Sequence, residues 1–172
     1  MVIGAALWLD NKKSQPENES VAALDEVIQT DYFMEDYSIT TTDIKGNPFR
    51  WLSGSKLEHF SNGDTTLIEP KLQFSQQEQH WLLVAKNGSF QEKDKIILDG
   101  GVKIQQLNGK EKALNIETEH LDISLTENIA STNSKVTVSN ENGQINAIGM
   151  NINFNQHQLR LLSQVKGHYV FK

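Results

Sequence analysis

The chain of 172 residues contains no cysteine. Disulfide bonds, thiolate metal sites, cysteine nucleophiles and lipoprotein acylation at a cysteine are therefore excluded. It also lacks a Walker A element, a GxGxxG element and a GxSxG elbow, so no motif indicates nucleotide binding or serine hydrolase chemistry. Only three prolines occur, which leaves room for long uninterrupted strands. These absences favour a protein that is not an enzyme and that needs no cofactor.

Positive charge is also scarce. The chain has 16 Lys and Arg against 22 Asp and Glu, which gives a net charge of −6 and a pI near 5.3. Affinity for nucleic acid comes largely from Lys and Arg that neutralise phosphates, so no nucleic-acid partner is expected. Hydrophobic residues make up 37% of the chain, which suits strands with one solvated face better than a doubly buried parallel sheet.

No metal site is expected either. The best group of possible ligands is the acidic run from Glu117 to Asp122, which includes His120. Ile116 and Thr118 alternate with the acidic residues, so the carboxylates belong to the opposite, solvated face of a strand.

Long apolar runs are absent except at the start. The segment Met1–Leu9 is entirely apolar and is followed by polar residues that include Lys12 and Lys13. Nine residues are too few to span a bilayer, which takes about twenty in a helix. A signal-peptide fragment and a buried strand are alternatives, but a basic leading region is missing. We expect residues 1–9 to be the end of a transmembrane anchor, residues 10–30 a polar tether, and residues 31–172 the main domain.

The main domain contains four copies of one pattern. Small residues at Gly54, Ala85, Thr118 and Gly149 are separated by 31, 33 and 31 residues, and similar apolar neighbours surround each. A fixed period of this kind indicates repeated supersecondary units.

Each copy is predicted to be a bent β-hairpin. Apolar residues alternate up to the small residue, as in Trp81, Leu83 and Ala85, and the spacing then changes from two to three. A one-residue slip of this kind is typical of a bulge or bend. Turn signals such as Asn62-Gly63 and Asn142-Gly143 join the strands.

Stacked bent hairpins predict an all-β fold. The units are too short for propeller blades, and neither terminal strand looks suited to close a barrel. We expect an open, twisted, V-shaped β-jelly roll of antiparallel strands whose apolar faces look at each other. The small residues at the bends could leave the cleft unfilled, which would make it a candidate lipid groove. Its expected lining comprises Leu52, Leu67, Trp81, Leu83, Ala85, Val102, Ile104, Ile116, Thr118, Ala147, Gly149 and Tyr169.

Several segments resemble the lipopolysaccharide export family LptC, which shares a β-jelly-roll superfamily with the periplasmic bridge protein LptA. The resemblance covers residues 30–170 and rests on the order and spacing of segments, among them DYFMEDYSITTTDIKG at 31–46, LDGGVKI at 98–104, LNIETEHLDI at 114–123, AIGM at 147–150 and VKGHY at 165–169.

The resemblance implies a single-pass inner-membrane protein with its main domain in the periplasm. Such a protein receives lipopolysaccharide from the ABC transporter LptBFG and passes it to LptA. Open sheet edges add a partner's strand readily. We therefore expect residues 31–43, with Tyr37 and Ile39, to dock on the transporter, and residues 159–171, with Leu159, Leu161 and Tyr169, to pair with LptA. The alternatives are a soluble LptA-like bridge and a carbohydrate-binding β-sandwich, which would have a filled core.

Overall fold

A computed structural model describes residues 28–76, 79–91, 94–107 and 114–169. The expected anchor and most of the tether lie outside these residues. Within the described part, no helix has the length and apolar character needed to cross a membrane. The secondary structure there is entirely β, as predicted, and comprises β1 Thr30–Thr42, β2 Pro48–Phe60, β3 Thr65–Ile68, β4 Lys71–Gln76, β5 Gln79–Val84, β6 Asn87–Gln91, β7 Lys95–Gln106, β8 Asn115–Ser124, β9 Ile129–Asn140, β10 Gly143–Asn153 and β11 Gln158–Tyr169.

All eleven strands form one antiparallel sheet, in which β2 also pairs with β4, β5 with β7 and β3 with β6. β3 and β4 together behave as one interrupted strand, and so do β5 and β6. β2 pairs with β4 through 50–53 and with β3 through 56–59, in one continuous register. In the same way, β7 pairs with β6 through 95–99 and with β5 through 103–106. The sheet is therefore a meander of long strands joined by tight connections.

Strands β7 to β11 bend near their middles, as the sequence pattern predicts for the later repeats. The pairings of β7–β8, β8–β9, β9–β10 and β10–β11 each slip in register at this level. Residues with positive φ mark the same level in several strands, namely Asp36, Glu69, Gly100, Gly101, Gly149 and Gln164. Left-handed backbone at successive bulges turns the strands, because each bulge adds one unpaired residue on one side of the ladder.

The bends divide the sheet into two halves. The half that contains β4 and β5, called the β4–β5 half, also includes 37–42, 48–53, 102–106, 115–118, 135–140, 143–148 and 165–169. The half that contains β3 and β6, called the β3–β6 half, also includes 30–35, 56–60, 95–99, 120–124, 129–132, 150–153 and 158–163.

The two halves fold back on each other. Phe154 follows β10, and its ring centroid lies 5.1 Å from that of Trp81 on β5. Three strands separate β10 from β5 in the sheet, so a flat sheet would place them about 19 Å apart at roughly 4.8 Å per step. The rings can meet only because the apolar faces of the halves look at each other, as expected for a jelly roll.

One continuous core fills the space between the halves. Its largest fully buried side chains are Phe154, Leu67, Leu72, Leu83, Ile96, Leu98, Ile104, Ile116, Leu121, Met150, Val102 and Val136. The burial pattern confirms the predicted slip from a spacing of two to a spacing of three. In β8, for example, Thr118 and Leu121 are both buried.

Both edges of the sheet are open, as predicted. Within the described residues β1 pairs only with β2, and β11 pairs only with β10. The roll is therefore not closed into a barrel.

Candidate functional site

The interior between the two halves contains most of the residues expected to line a groove. Leu52, Leu67, Trp81, Leu83, Val102, Ile104, Ile116, Thr118 and Ala147 are all buried there. Ala85 is half-buried against this core, and Gly149 is buried at the bend of β10. Tyr169 differs, because its side chain is 56% exposed on the edge strand β11. The interior is thus an apolar layer packed from two sides.

The side of the cleft opposite the bends is called here the mouth. It lies where the turns 125–128 and 154–157 of the β3–β6 half approach strand ends of the β4–β5 half. Phe154 packs edge-on against Phe74 and Trp81, with centroid distances of 4.8 and 5.1 Å. Edge-to-face aromatic pairs contribute about 0.5–1.5 kcal/mol beyond the burial of area.

A hydrogen bond also crosses the mouth. The Arg50 guanidinium donates through Nη2 to the carbonyl oxygen of Leu125, at 2.9 Å. Burial lowers the pKa of Arg50, and its guanidinium also lies over the ring of Phe49. The mouth is therefore closed by one charge-assisted hydrogen bond and one aromatic cluster.

A recess of about 100 Å³ remains at the mouth beside Phe154. The β4–β5 half contributes Gln79, Trp81, Gln106 and Ile116 to its lining, and the β3–β6 half contributes Ile152, Asn153, Phe154, His157, Gln158 and Leu159. Apolar side chains and side-chain amides share the lining. The recess holds about three waters at roughly 30 Å³ each, which is far less than an acyl chain requires.

Two buried polar atoms have no hydrogen-bond partner among the described residues. One is Nε1 of Trp81, which is 6% exposed, and the other is Oη of Tyr37. Burial raises the pKa of Tyr37 to about 12. The Tyr37 ring covers Gly54 near the bend, where a Cβ would approach its hydroxyl to 2.6 Å. An unpaired buried donor costs about 1–3 kcal/mol.

The family model described as "Lipopolysaccharide-assembly, LptC-related" matches residues 1–170 of the chain. The chain belongs to the LptC family. This membership confirms the resemblance found in the sequence and makes the chain a component of lipopolysaccharide assembly.

The fold is also similar to a solved structure. That structure is LptH of Pseudomonas aeruginosa, described as the LptA-homologous periplasmic component of the conserved lipopolysaccharide transport device. The superposition has a TM-score of 0.51 at 7% sequence identity, and covers 81% of this chain and 94% of LptH. At that identity the similarity establishes the fold alone. No curated protein matches the sequence significantly.

The edge strands of this LptC-family chain carry the residues expected to bind partners. On β1, Tyr37 is buried and Ile39 is 38% exposed. On β11, Leu159 and Leu161 are half-buried against the core, whereas Tyr169 is exposed. Further apolar side chains are exposed on both edges, namely Tyr32, Phe33 and Met34 on β1 and Leu162 and Val165 on β11. Both edges therefore combine an open backbone with uncovered apolar side chains.

A charged cluster lies near the bend of β7 and β8. His120 contacts Asp99 through Nδ1 at 2.5 Å and Asp122 through Nε2 at 3.4 Å. The hydrogen bond to Asp99, assisted by the charges of both carboxylates, raises the pKa of His120 although desolvation opposes it. All three side chains are more than a third exposed, as expected for a solvated outer face. Among the described residues no group of three potential ligands is arranged to hold a metal ion.

Sequence reasoning did not identify the residues that close the mouth. Phe154 is not among the residues expected to line the groove, and its contact with Phe74 depends on how the sheet folds back. Arg50 and Leu125 are 75 positions apart, and neither stands in a motif. The one available signal was that Phe154 continues the apolar alternation of β10 into a turn, where a large buried side chain is unusual.

Proposed function

We propose that this chain carries lipopolysaccharide through the periplasm with its acyl chains held between the two half-sheets. The observation that carries the proposal is the single apolar interior that runs along the whole folded sheet, in a chain of the lipopolysaccharide-assembly family. A twelve-carbon acyl chain gains about 10 kcal/mol on leaving water, at about 0.8 kcal/mol per CH₂. A carrier must therefore cover the chain throughout transfer.

The packed interior requires the halves to separate before an acyl chain can enter. The carbohydrate-binding alternative also expects a filled core, but the family match favours the lipid carrier. The halves would separate at the mouth, where the described residues bridge them by one hydrogen bond and one aromatic cluster. The hydrogen bond from Arg50 to Leu125 and the contacts of Phe154 would be exchanged for contacts with acyl chains.

A reversible lock across the mouth tests this proposal. Gln79 and Gln158 line the same recess from opposite halves, and the chain has no native cysteine to compete for reagent. Gln79→Cys and Gln158→Cys, joined by a short disulfide-containing cross-linker, should abolish lipopolysaccharide loading until the linker is reduced. The matched control joins Asn153→Cys to Gln158→Cys, which are paired within one half. Full loading of the locked protein would refute entry between the halves.

The open edges suit strand addition by neighbours in a transport chain. We propose that residues 31–43 on β1 dock on the transporter LptBFG, and that β11 pairs with LptA. Main-chain hydrogen bonds would supply affinity, and the exposed apolar side chains would continue the covered path for acyl chains. A photo-cross-linker at Leu161 or Tyr169 should capture LptA, whereas one at Leu82 on the central strand β5 should not. Failure of both edge positions to capture LptA would refute this docking.

The tether is proposed to hold the carrier at the inner membrane. Residues 1–9 would be the end of a membrane anchor, with Lys12 and Lys13 at the surface. The net charge of −6 would help the phosphorylated sugars of the cargo to stay in water. A protein that carries the complete anchor ahead of residue 10 should fractionate with inner membranes, and a chain that begins at residue 10 should not. Recovery of the protein with the complete anchor in the soluble fraction would favour the soluble LptA-like bridge.

A further inference from the structure

The recess at the mouth brings an unpaired hydrogen-bond donor to an apolar interior. Trp81 lines the recess, is 6% exposed, and its indole N–H has no partner among the described residues. A buried donor of this kind is rare, because leaving it unpaired costs stability. The cost disappears when a ligand brings an acceptor.

The chemistry of the lining indicates which acceptor would fit. Side-chain amides of Gln79, Gln106, Asn153 and Gln158 share the recess with the apolar side chains Ile116, Ile152 and Phe154. A ligand that suits both must be polar at one end of a hydrocarbon chain. Among the described residues no Lys or Arg lines the recess, and His157 is its one ionisable side chain, so a carboxylate or a phosphate would find no permanent counter-charge there. A neutral carbonyl at the head of an acyl chain satisfies both conditions.

We propose that the Trp81 N–H donates a hydrogen bond to the carbonyl oxygen of an ester or amide that joins an acyl chain to its sugar. This inference rests on the proposed function, because it assigns a part of the cargo to one residue of the interior. It places the head of an acyl chain at the mouth, with the hydrocarbon directed inward and the sugar in solvent. Trp81 thus distinguishes acylated lipids from plain hydrocarbon.

Trp81→Phe removes the donor and keeps an aromatic ring against Phe154. One hydrogen bond corresponds to about three- to tenfold in affinity, so the variant should bind lipopolysaccharide three- to tenfold more weakly. Its resistance to urea measures the packing cost separately. Replacement of Trp81 by benzothienylalanine, which has the same shape but no N–H, should give the same loss of affinity with unchanged packing.

Trp51→Phe is the matched control, because it makes the same substitution at a half-buried tryptophan that does not line the recess. It should leave lipopolysaccharide affinity unchanged. Parental affinity in the benzothienylalanine variant would overturn the inference and leave the proposed function intact. Equal losses for Trp81→Phe and Trp51→Phe would also overturn it. Failure of the parent protein to bind lipopolysaccharide would instead refute the proposed function.

Discussion

A substitution at Gly149 tests quantitatively how closely β10 and β11 pack at the bend. The residue has φ of +79°, and a Cβ placed there would lie 2.9 Å from Cδ1 of Leu162 and 3.2 Å from its Cβ and Cγ. Gly149→Ala therefore combines backbone strain with a steric contact. The left-handed conformation costs a residue with a Cβ about 1–2 kcal/mol.

The contact with Leu162 adds a second, smaller cost. Leu162 is 52% exposed and can rotate away at the expense of its own packing, for which we estimate about 1 kcal/mol, as for an off-rotamer side chain. Gly149→Ala should therefore lower the free energy of unfolding by about 2–3 kcal/mol. Gly101 supplies the control, because it has φ of +85° but no atom within 4 Å of its would-be Cβ. Gly101→Ala should cost only the backbone term of about 1–2 kcal/mol.

Urea denaturation, monitored by circular dichroism, gives the free energy of unfolding of both variants. The values can be compared if the m-values are equal. The double variant Gly149→Ala with Leu162→Ala, compared with Leu162→Ala alone, should recover the part of the steric cost that comes from Cδ1 and Cγ. The 3.2 Å contact with Cβ of residue 162 stays, so the cost should lie between those of Gly101→Ala and Gly149→Ala. Equal losses for Gly149→Ala and Gly101→Ala, with no coupling to Leu162, would refute the close packing at this bend.

Three further predictions concern stability, pH and opening. Tyr37→Phe removes an unpaired buried hydroxyl, so its free energy of unfolding should be equal to or up to about 1 kcal/mol above that of the parent; a loss above 1 kcal/mol would show that the hydroxyl has a partner. The raised pKa of His120 implies stabilisation that is fully present below its ordinary value of 6.5 and is lost as pH rises through the raised value, so Asp99→Asn should weaken this dependence in thermal unfolding; an identical pH profile would contradict it. Arg50→Met should reduce the free energy of unfolding by about 1–2 kcal/mol and speed lipopolysaccharide loading in stopped-flow fluorescence, whereas unchanged loading would show that this bond does not restrain the mouth.

The bends of β8 and β10 were predictable because both leave a local mark in the sequence. In β8 and β10 the apolar spacing changes at Thr118 and Gly149, and the structure bends there. Other bends left no such mark. Asp36 and Gln164 adopt positive φ without being glycine, because the neighbouring strand fixes the bend and they must follow it.

The exposure of side chains depended on neighbours that the sequence does not reveal. Tyr169 occupies the same place in its repeat as Phe74 and Val138 in theirs, yet Tyr169 is exposed and the others are buried. The reason is that β11 is an edge strand: among the described residues no further strand lies beside it to complete the inner face. In the same way, the closure of the mouth by Phe154 depends on how the bent sheet folds back, which brings Phe154 against Phe74 and Trp81.

Strand β5 offers the most direct test of whether acyl chains occupy the space between the half-sheets. Trp81 and Leu83 are buried on the inner face, whereas Leu82 and Val84 alternate with them on the other face. A photo-cross-linking amino acid placed at each of these four positions in turn, with lipopolysaccharide present, should label the lipid from 81 and 83 and leave it unlabelled from 82 and 84. Equal labelling from all four positions, or labelling from 82 and 84 alone, would contradict the account.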